Sequence, residues 1–240
     1  MKQVIYEIAS NREIAPGVWR MALAGDASAM QRPGQFIDIA LEVRFLRRPI
    51  SVCDWDGEGL VIIYKVVGRG TAQLSAMVPG QRLDALTGLG NGSDVAACPD
   101  APVLAGGGGG VPPLYGLAKR LLAAGKRPSV ALGFNRAEEI FLREEFEALG
   151  IPVTVATVDG SAGVKGFVTD AFPENAYVCA CGPEPMLKAV HARASGGQFS
   201  FEARMGCGFG ACMGCTCQTA AGPKRICKDG PVMGYADIIW

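Results

Sequence analysis

Residues 205–215 read MGCGFGACMGC, and one more cysteine, Cys227, follows in the sequence RIC at residues 225–227. The spacing is C-x4-C-x2-C, then a gap and a fourth cysteine, which is the spacing of plant-type 2Fe–2S sites. Glycines at 206, 208, 210 and 214 let the loop turn its N–H groups towards the sulfurs. The sequence therefore predicts a 2Fe–2S cluster, which handles single electrons, held by Cys207, Cys212, Cys215 and Cys227.

Zinc and disulfide bonds are the alternatives for these cysteines. A zinc site usually has two C-x2-C pairs or a mixture of Cys and His, whereas only Cys212 and Cys215 form such a pair and the one histidine is His191. A disulfide framework suits a small secreted domain, and the sequence begins with no signal peptide. Cys217, close behind Cys215, could substitute as a ligand, and we leave it out of the predicted set.

Composition narrows the class of protein. The 240 residues contain 23 Lys and Arg against 23 Asp and Glu, which argues against nucleic acid as a partner. No apolar run reaches the length of about 18 residues that a membrane helix needs, so we expect no membrane segment. Nine cysteines without secretory features indicate a reducing cytoplasm.

The chain divides into three predicted parts. Residues 1–97 read as closely spaced strands with one short helix at 71–77, which predicts an antiparallel β-barrel. Residues 98–196 alternate strands with helices, which predicts a doubly wound parallel sheet of the α/β class. Residues 197–240 have too little core to fold alone, so the cluster should stabilise this third part.

Two glycine turns of the second part follow predicted strands. Gly106 to Gly110, followed by Pro112, separates a strand from a helix, where backbone N–H groups can bind a pyrophosphate. The run is not G-x-G-x-x-G, so a tight structural turn is the alternative. Cys181-Gly182-Pro183 repeats the arrangement after another strand. We predict nucleotide-binding residues here: Gly106, Gly107, Gly108, Gly110, Cys181, Gly182 and Pro183.

Two further motifs lie in the predicted barrel. An arginine followed by a hydroxyl, in Arg48-Pro49-Ile50-Ser51, can hold a diphosphate and the edge of a flavin. Gly68-x-Gly70-Thr71 enters the short helix and offers N–H groups to the same phosphates. Each motif alone would be an ordinary strand or an ordinary helix start.

Together these motifs resemble the ferredoxin–NADP reductase superfamily, whose flavin motif, diphosphate loop, pyridine-nucleotide loop and Cys-Gly-Pro element they match. Over residues 3–233 the chain is most similar to one branch, the electron-transfer subunits of class 1B dihydroorotate dehydrogenase. The segments that carry this resemblance are Leu46–Ser51, Leu89–Gly92, Gly110–Tyr115, Gly166–Asp170, Cys207–Cys217 and Cys227–Val232.

The resemblance implies an NAD-linked oxidoreductase subunit with FAD, a 2Fe–2S cluster and NAD as cofactors. Its implied partner is an FMN-containing catalytic subunit that oxidises dihydroorotate to orotate in pyrimidine biosynthesis, in a heterotetramer with two copies of each chain. We predict no catalytic acid–base residue in this chain, which should therefore not oxidise dihydroorotate alone.

Two other functions stay open on the sequence. One is the small subunit of an NADH-dependent ferredoxin–NADP oxidoreductase or sulfide dehydrogenase, in which an aspartate replaces the first cluster cysteine; Cys207 favours the dihydroorotate system. The other is a zinc-stapled binding module without catalysis, which would be colourless, whereas a flavin and a cluster would colour the protein.

Overall fold

The computed structural model describes residues 1–240, and its first 89 residues build a closed six-stranded barrel. In the first strand Val4, Tyr6 and Ile8 are buried while their neighbours are exposed, as the two-residue period of a strand requires. All pairings in the barrel are antiparallel, in the order β1-β2-β5-β4-β3-β6. The elements are β1 (Lys2–Ala15), β2 (Val18–Ala24), β3 (Phe36–Ile39), β4 (Arg48–Trp55), β5 (Gly59–Lys65), α1 (Arg69–Ser75) and β6 (Arg82–Leu89).

A mostly parallel seven-stranded sheet follows, in the order β10-β9-β8-β7-β11-β12-β15. Its central strands β7, β8 and β11 are apolar and largely buried, as expected when both faces of a sheet are covered. The elements are β7 (Val103–Gly107), α2 (Val111–Ala123), β8 (Ser129–Phe134), α3 (Arg143–Ala148), β9 (Val153–Thr157), β10 (Val164–Lys165), β11 (Tyr177–Cys181), α4 (Glu184–Arg193) and β12 (Gly196–Ser200).

The cysteine-rich segment leaves this sheet and returns to it. After β12 the chain forms the cysteine loop and a short hairpin of β13 (Thr216–Thr219) and β14 (Gly222–Arg225). It then comes back as β15 (Val232–Gly234), which pairs antiparallel with β12. Phe36 and Leu89 of the barrel pack against Cys215, Cys227 and other residues of this segment. The cysteine loop is thereby fixed against the barrel.

The barrel and the sheet share one apolar core. Val18, Cys53 and Ile63 of the barrel belong to the same buried cluster as Leu114 and Leu117 of α2. The helix comes very close to β4, because a Cβ on its Gly116 would lie 2.7 Å from the carbonyl oxygen of Cys53. This packing fixes the glycine run before α2 relative to the barrel.

The predicted fold class is confirmed: an antiparallel barrel, a doubly wound parallel sheet and a small cysteine-bearing C-terminal segment. No helix has both the length and the apolar character that crossing a bilayer demands.

Three elements differ from the sequence-based expectation. The helix expected at 137–149 is a 3-10 turn at Ala137–Glu139 followed by α3, because Leu142 takes a φ of 62° that interrupts it. Strand β6 follows α1 without having been predicted. Strand β12 crosses the expected boundary at residues 196 and 197. Gly197, which read as part of that boundary, is a residue of β12, and glycine is required there because a Cβ would collide with the carbonyl of Val178 in β11.

Candidate functional site

The four predicted cluster cysteines form two pairs. Backbone hydrogen bonds link them two by two: Cys212 N donates to the Sγ atom of Cys207, and Cys227 N donates to the Sγ atom of Cys215. No three ligand side chains surround a single point. A 2Fe–2S cluster takes two thiolates per iron, which is compatible with this pairing.

Backbone N–H groups point at these sulfurs. Ala211 N and Cys212 N donate to the Sγ atom of Cys207 over 3.2 and 3.4 Å, and Cys227 N donates to the Sγ atom of Cys215 over 3.4 Å. Burial opposes ionisation of Cys207, but the amide hydrogen bonds outweigh it and lower the pKa of that thiol to about 6. Burial and the adjacent Cys215 raise the pKa of Cys227 to about 12. A cationic metal centre stabilises the thiolate forms of cysteines that lie this close together. The four cysteines therefore fit a 2Fe–2S cluster.

Cys217 lies outside both pairs. It is the second residue of β13, half-buried, with Lys224 opposite it on β14. Its exclusion from the ligands stays a prediction.

The predicted flavin residues converge at one end of the barrel. Arg48 to Ser51 begin β4 and pair with β3, with Pro49 opposite Asp38. The Arg48 guanidinium lies over Gly70, where a Cβ would be 3.0 Å from Arg48 Cζ.

The turn before α1 is held by one hydroxyl. The Oγ1 atom of Thr71 accepts hydrogen bonds from the N–H groups of Val67 (2.9 Å) and Gly68 (3.2 Å). The Arg48 guanidinium thus lies beside a well-held turn at the start of α1. A cation next to backbone N–H groups fits the diphosphate of FAD.

The two predicted nucleotide turns lie side by side. Strands β7 and β11 are neighbours, with Gly106 opposite Cys181. The backbone of Gly110 packs so tightly on the carbonyl of Cys181 that no Cβ would fit there. Gly108, with a φ of 48°, and Gly109 instead face open space, because no heavy atom lies within 4 Å of their Cβ positions. Open backbone at the start of α2 fits a pyrophosphate that must approach the main chain closely.

Sequence reasoning missed Glu139. Its carboxylate accepts hydrogen bonds from Asn135 N (3.3 Å) and Asn135 Nδ2 (3.1 Å) at the carboxyl end of β8. Glu139 also lines a narrow cavity together with Gly108, Gly109 and the barrel residue Tyr64. An acidic residue only a few positions beyond β8 could have been recognised as a candidate ribose ligand. It was overlooked because residues 137–149 were expected to form one continuous helix.

Sequence reasoning also missed Asp38, a buried carboxylate in β3. It contacts the cysteine loop: a Cβ on Gly208 would lie 3.0 Å from Asp38 Cγ. Burial raises the pKa of Asp38 to about 6; Arg47 opposes this rise and Cys207 adds to it. The strand that pairs with the flavin motif therefore touches the cluster loop directly.

Comparison with known proteins agrees with this arrangement. Residues 202–239 match the family described as the iron–sulfur cluster binding domain of dihydroorotate dehydrogenase B. A solved structure described by its work on flavin-based electron bifurcation in the NADH-dependent reduced ferredoxin–NADP oxidoreductase superposes with a TM-score of 0.87 at 30% identity, covering 98% of this chain and 90% of that one. A ferredoxin–NADP reductase from Neisseria gonorrhoeae with bound FAD and NADP superposes at 0.68 over 80% of this chain and 90% of that one; at 16% identity it supports the fold alone.

The curated relatives match over nearly their whole length. The dihydroorotate dehydrogenase B (NAD(+)) electron transfer subunit of Bacillus pumilus is 42% identical, covering 99% of this chain and 98% of that protein. The subunit of the same name from Fusobacterium nucleatum is 41% identical, covering 96% of each. On this evidence the chain belongs to the family of dihydroorotate dehydrogenase B electron transfer subunits.

Proposed function

We propose that this chain carries electrons between a catalytic dihydroorotate dehydrogenase subunit and NAD, through a 2Fe–2S cluster and FAD. The observation that carries the proposal is the contact between the loop of cluster cysteines and β3, which pairs with the strand of the flavin motif. A one-electron site and a two-electron site are thereby adjacent. When bound, the cluster supplies single-electron chemistry, and FAD exchanges hydride with the nicotinamide and single electrons with the cluster.

The chain's own residues bind and orient these groups. Arg48 and the amides of the turn before α1 hold the diphosphate of FAD, with Pro49, Ile50 and Ser51 along the flavin edge. The open amides at Gly108 and Gly109 and the Cys181–Pro183 turn hold the dinucleotide. The four paired cysteines hold the cluster.

Glu139 supports NAD rather than NADP. Its carboxylate is fixed by Asn135 at the end of β8, where the ribose of a dinucleotide lies in sheets of this type. A 2′-phosphate there would meet a like charge. Arg136, the candidate cation for a 2′-phosphate, is paired instead with Glu138 at 3.5 Å.

In this proposal the catalytic subunit, and not this chain, oxidises dihydroorotate. His191, the one histidine, stacks on Tyr235 at 4.1 Å between ring centroids, and its Nε2 lies 3.1 Å from the Tyr235 carbonyl oxygen. It holds the C-terminal tail and is not among the residues of the cofactor motifs. We further propose that the partner contains FMN, that two copies of each chain assemble, and that the complex is cytoplasmic, which suits nine cysteines of which none is paired in a disulfide.

Each of the three cofactors corresponds to one part of the chain. We propose residues 1–97 for FAD, 98–196 for NAD and 197–240 for the cluster, with β12 and β15 contributing hydrogen bonds to the sheet of the second part.

Electron transfer can be separated from substrate oxidation in one experiment. The purified chain with its cofactors should pass electrons from NADH to a dye and leave dihydroorotate unchanged, and adding the catalytic subunit should couple dihydroorotate oxidation to NAD reduction. Dihydroorotate oxidation by the chain alone would refute the proposal.

The second candidate is the small subunit of a reduced-ferredoxin–NADP oxidoreductase, which the structural match at 0.87 favours. The same preparation distinguishes the two. Coupling to ferredoxin and NADP, with none to dihydroorotate dehydrogenase, would select the second.

A further inference from the structure

Asp38 lies between the two electron-carrying sites. It is 2% exposed, and in β3 it is opposite Pro49 of the flavin motif. Its carboxylate faces Gly208, the residue that follows the cluster cysteine Cys207, with no room for a side chain between them. One carboxylate therefore contacts the cluster loop from the strand beside the flavin motif.

The charge of this carboxylate is not neutralised by a direct partner. Its Oδ1 atom is buried and has no hydrogen-bond partner. The nearby Arg47 donates its Nη1 hydrogen bonds to the main-chain oxygen of Asp38 (3.2 Å) and to the carboxylate of Asp84 (3.0 Å). Burying a carboxylate without a hydrogen-bond partner destabilises a folded protein, so such a group is retained more readily where it has a function.

We propose that Asp38 is a positioning residue of the cluster, which holds the Cys207–Phe209 turn against the barrel and keeps a fixed negative charge on the flavin side of the cluster. This inference rests on the cluster assignment of the proposed function. A negative charge beside the cluster disfavours an added electron. Asp38 therefore lowers the midpoint potential of a cluster bound here and favours transfer of the electron onward to the flavin.

Asp38→Asn tests this role, because it removes the charge and keeps the shape. The matched control is Asp84→Asn, which removes the other carboxylate near Arg47; Asp84 is half-exposed and bonded to Arg47 and Gln3. Both variants and the parent are purified with their cofactors. The readouts are iron content, flavin content and the cluster midpoint potential from an EPR-monitored titration at pH 8.

The proposal expects Asp38→Asn either to raise the cluster midpoint potential or to lose iron while retaining flavin, with Asp84→Asn unchanged in both respects. Full iron content at the parent potential would overturn it. An equal shift in Asp84→Asn, or loss of flavin together with iron in Asp38→Asn, would also overturn it, because Asp38 would then be an ordinary barrel residue. A parent protein without iron would instead refute the cluster assignment.

Discussion

Asn91 should control how firmly the cluster segment is attached to the barrel. It follows β6, and its side chain bonds only to the returning C-terminal chain. The Nδ2 group donates to the carbonyl oxygens of Val232 (2.7 Å) and Asp229 (3.2 Å), and Oδ1 accepts from Val232 N (3.1 Å). Asn91→Ala removes all three hydrogen bonds.

The expected cost follows from these three bonds. At about 1 kcal/mol each, the docked state loses about 3 kcal/mol. Since about 1.4 kcal/mol is a factor of ten, the cluster segment should open on the order of 100-fold more often. Iron should therefore leave faster in the presence of a chelator, by up to that factor, and the assay is the decay of cluster absorbance after the chelator is added.

Asn11→Ala is the matched control. Asn11 makes a comparable set of side-chain hydrogen bonds, donating to Leu74 O (2.9 Å), Met77 O (2.8 Å) and, over 3.5 Å, Ser75 O, and accepting from the Tyr64 hydroxyl (3.0 Å), but all of them lie within the barrel part of the chain. It should lose a similar free energy of unfolding while retaining the parent rate of iron loss. Two results would contradict this expectation. One is a rate of cluster loss in Asn91→Ala within twofold of the parent rate, and the other is a rate in Asn11→Ala equal to that of Asn91→Ala.

Three further predictions concern the sites themselves. Cys217→Ser should retain its iron, whereas serine at any of the four paired cysteines should lose it; iron analysis giving the reverse pattern would show the ligand set to be wrong. Arg48→Ala should weaken FAD binding by about 1.5–3 kcal/mol through loss of a charged contact, measured by flavin retained after gel filtration, with the exposed Arg12→Ala unchanged. Phe209→Glu should weaken assembly with the catalytic subunit and spare NADH oxidation by dyes, because Phe209 is an exposed apolar side chain beside the cluster ligands. Phe167→Glu, at an exposed phenylalanine of the other part of the chain, is its control in a pull-down, and equal binding by both variants would contradict the docking role.

The site was predictable where the chemistry requires a local pattern. Four cysteines at a fixed spacing, and glycines between a strand and a helix, are readable because each motif lies within a short stretch of chain. The folded structure places Cys207 beside Cys212, Cys215 beside Cys227, and Arg48 over Gly70, while the roles of these residues stay predictions.

Contacts between distant residues were not predictable in this way. Asp38 read as one polar residue in an apolar strand, and only the fold brings Gly208 against it. Asn91 belonged to a recognisable segment, but its partners are more than 130 residues away in the sequence. Gly197 read as part of a boundary, and only the fold shows that its missing side chain allows close packing against Val178 of β11.

The return of β15 to the strand that the chain has just left has a mechanical consequence. Residues 201–231 are an excursion whose two ends are joined by hydrogen bonds between β12 and β15. A carrier tethered at one end could swing between donor and acceptor, whereas this segment is joined at both ends and packs its Cys215 and Cys227 against Phe36 and Leu89 of the barrel. The electron carrier of this subunit is thus a stationary relay, and the gap that an electron must cross to the partner is set by how the two proteins dock rather than by motion of the carrier.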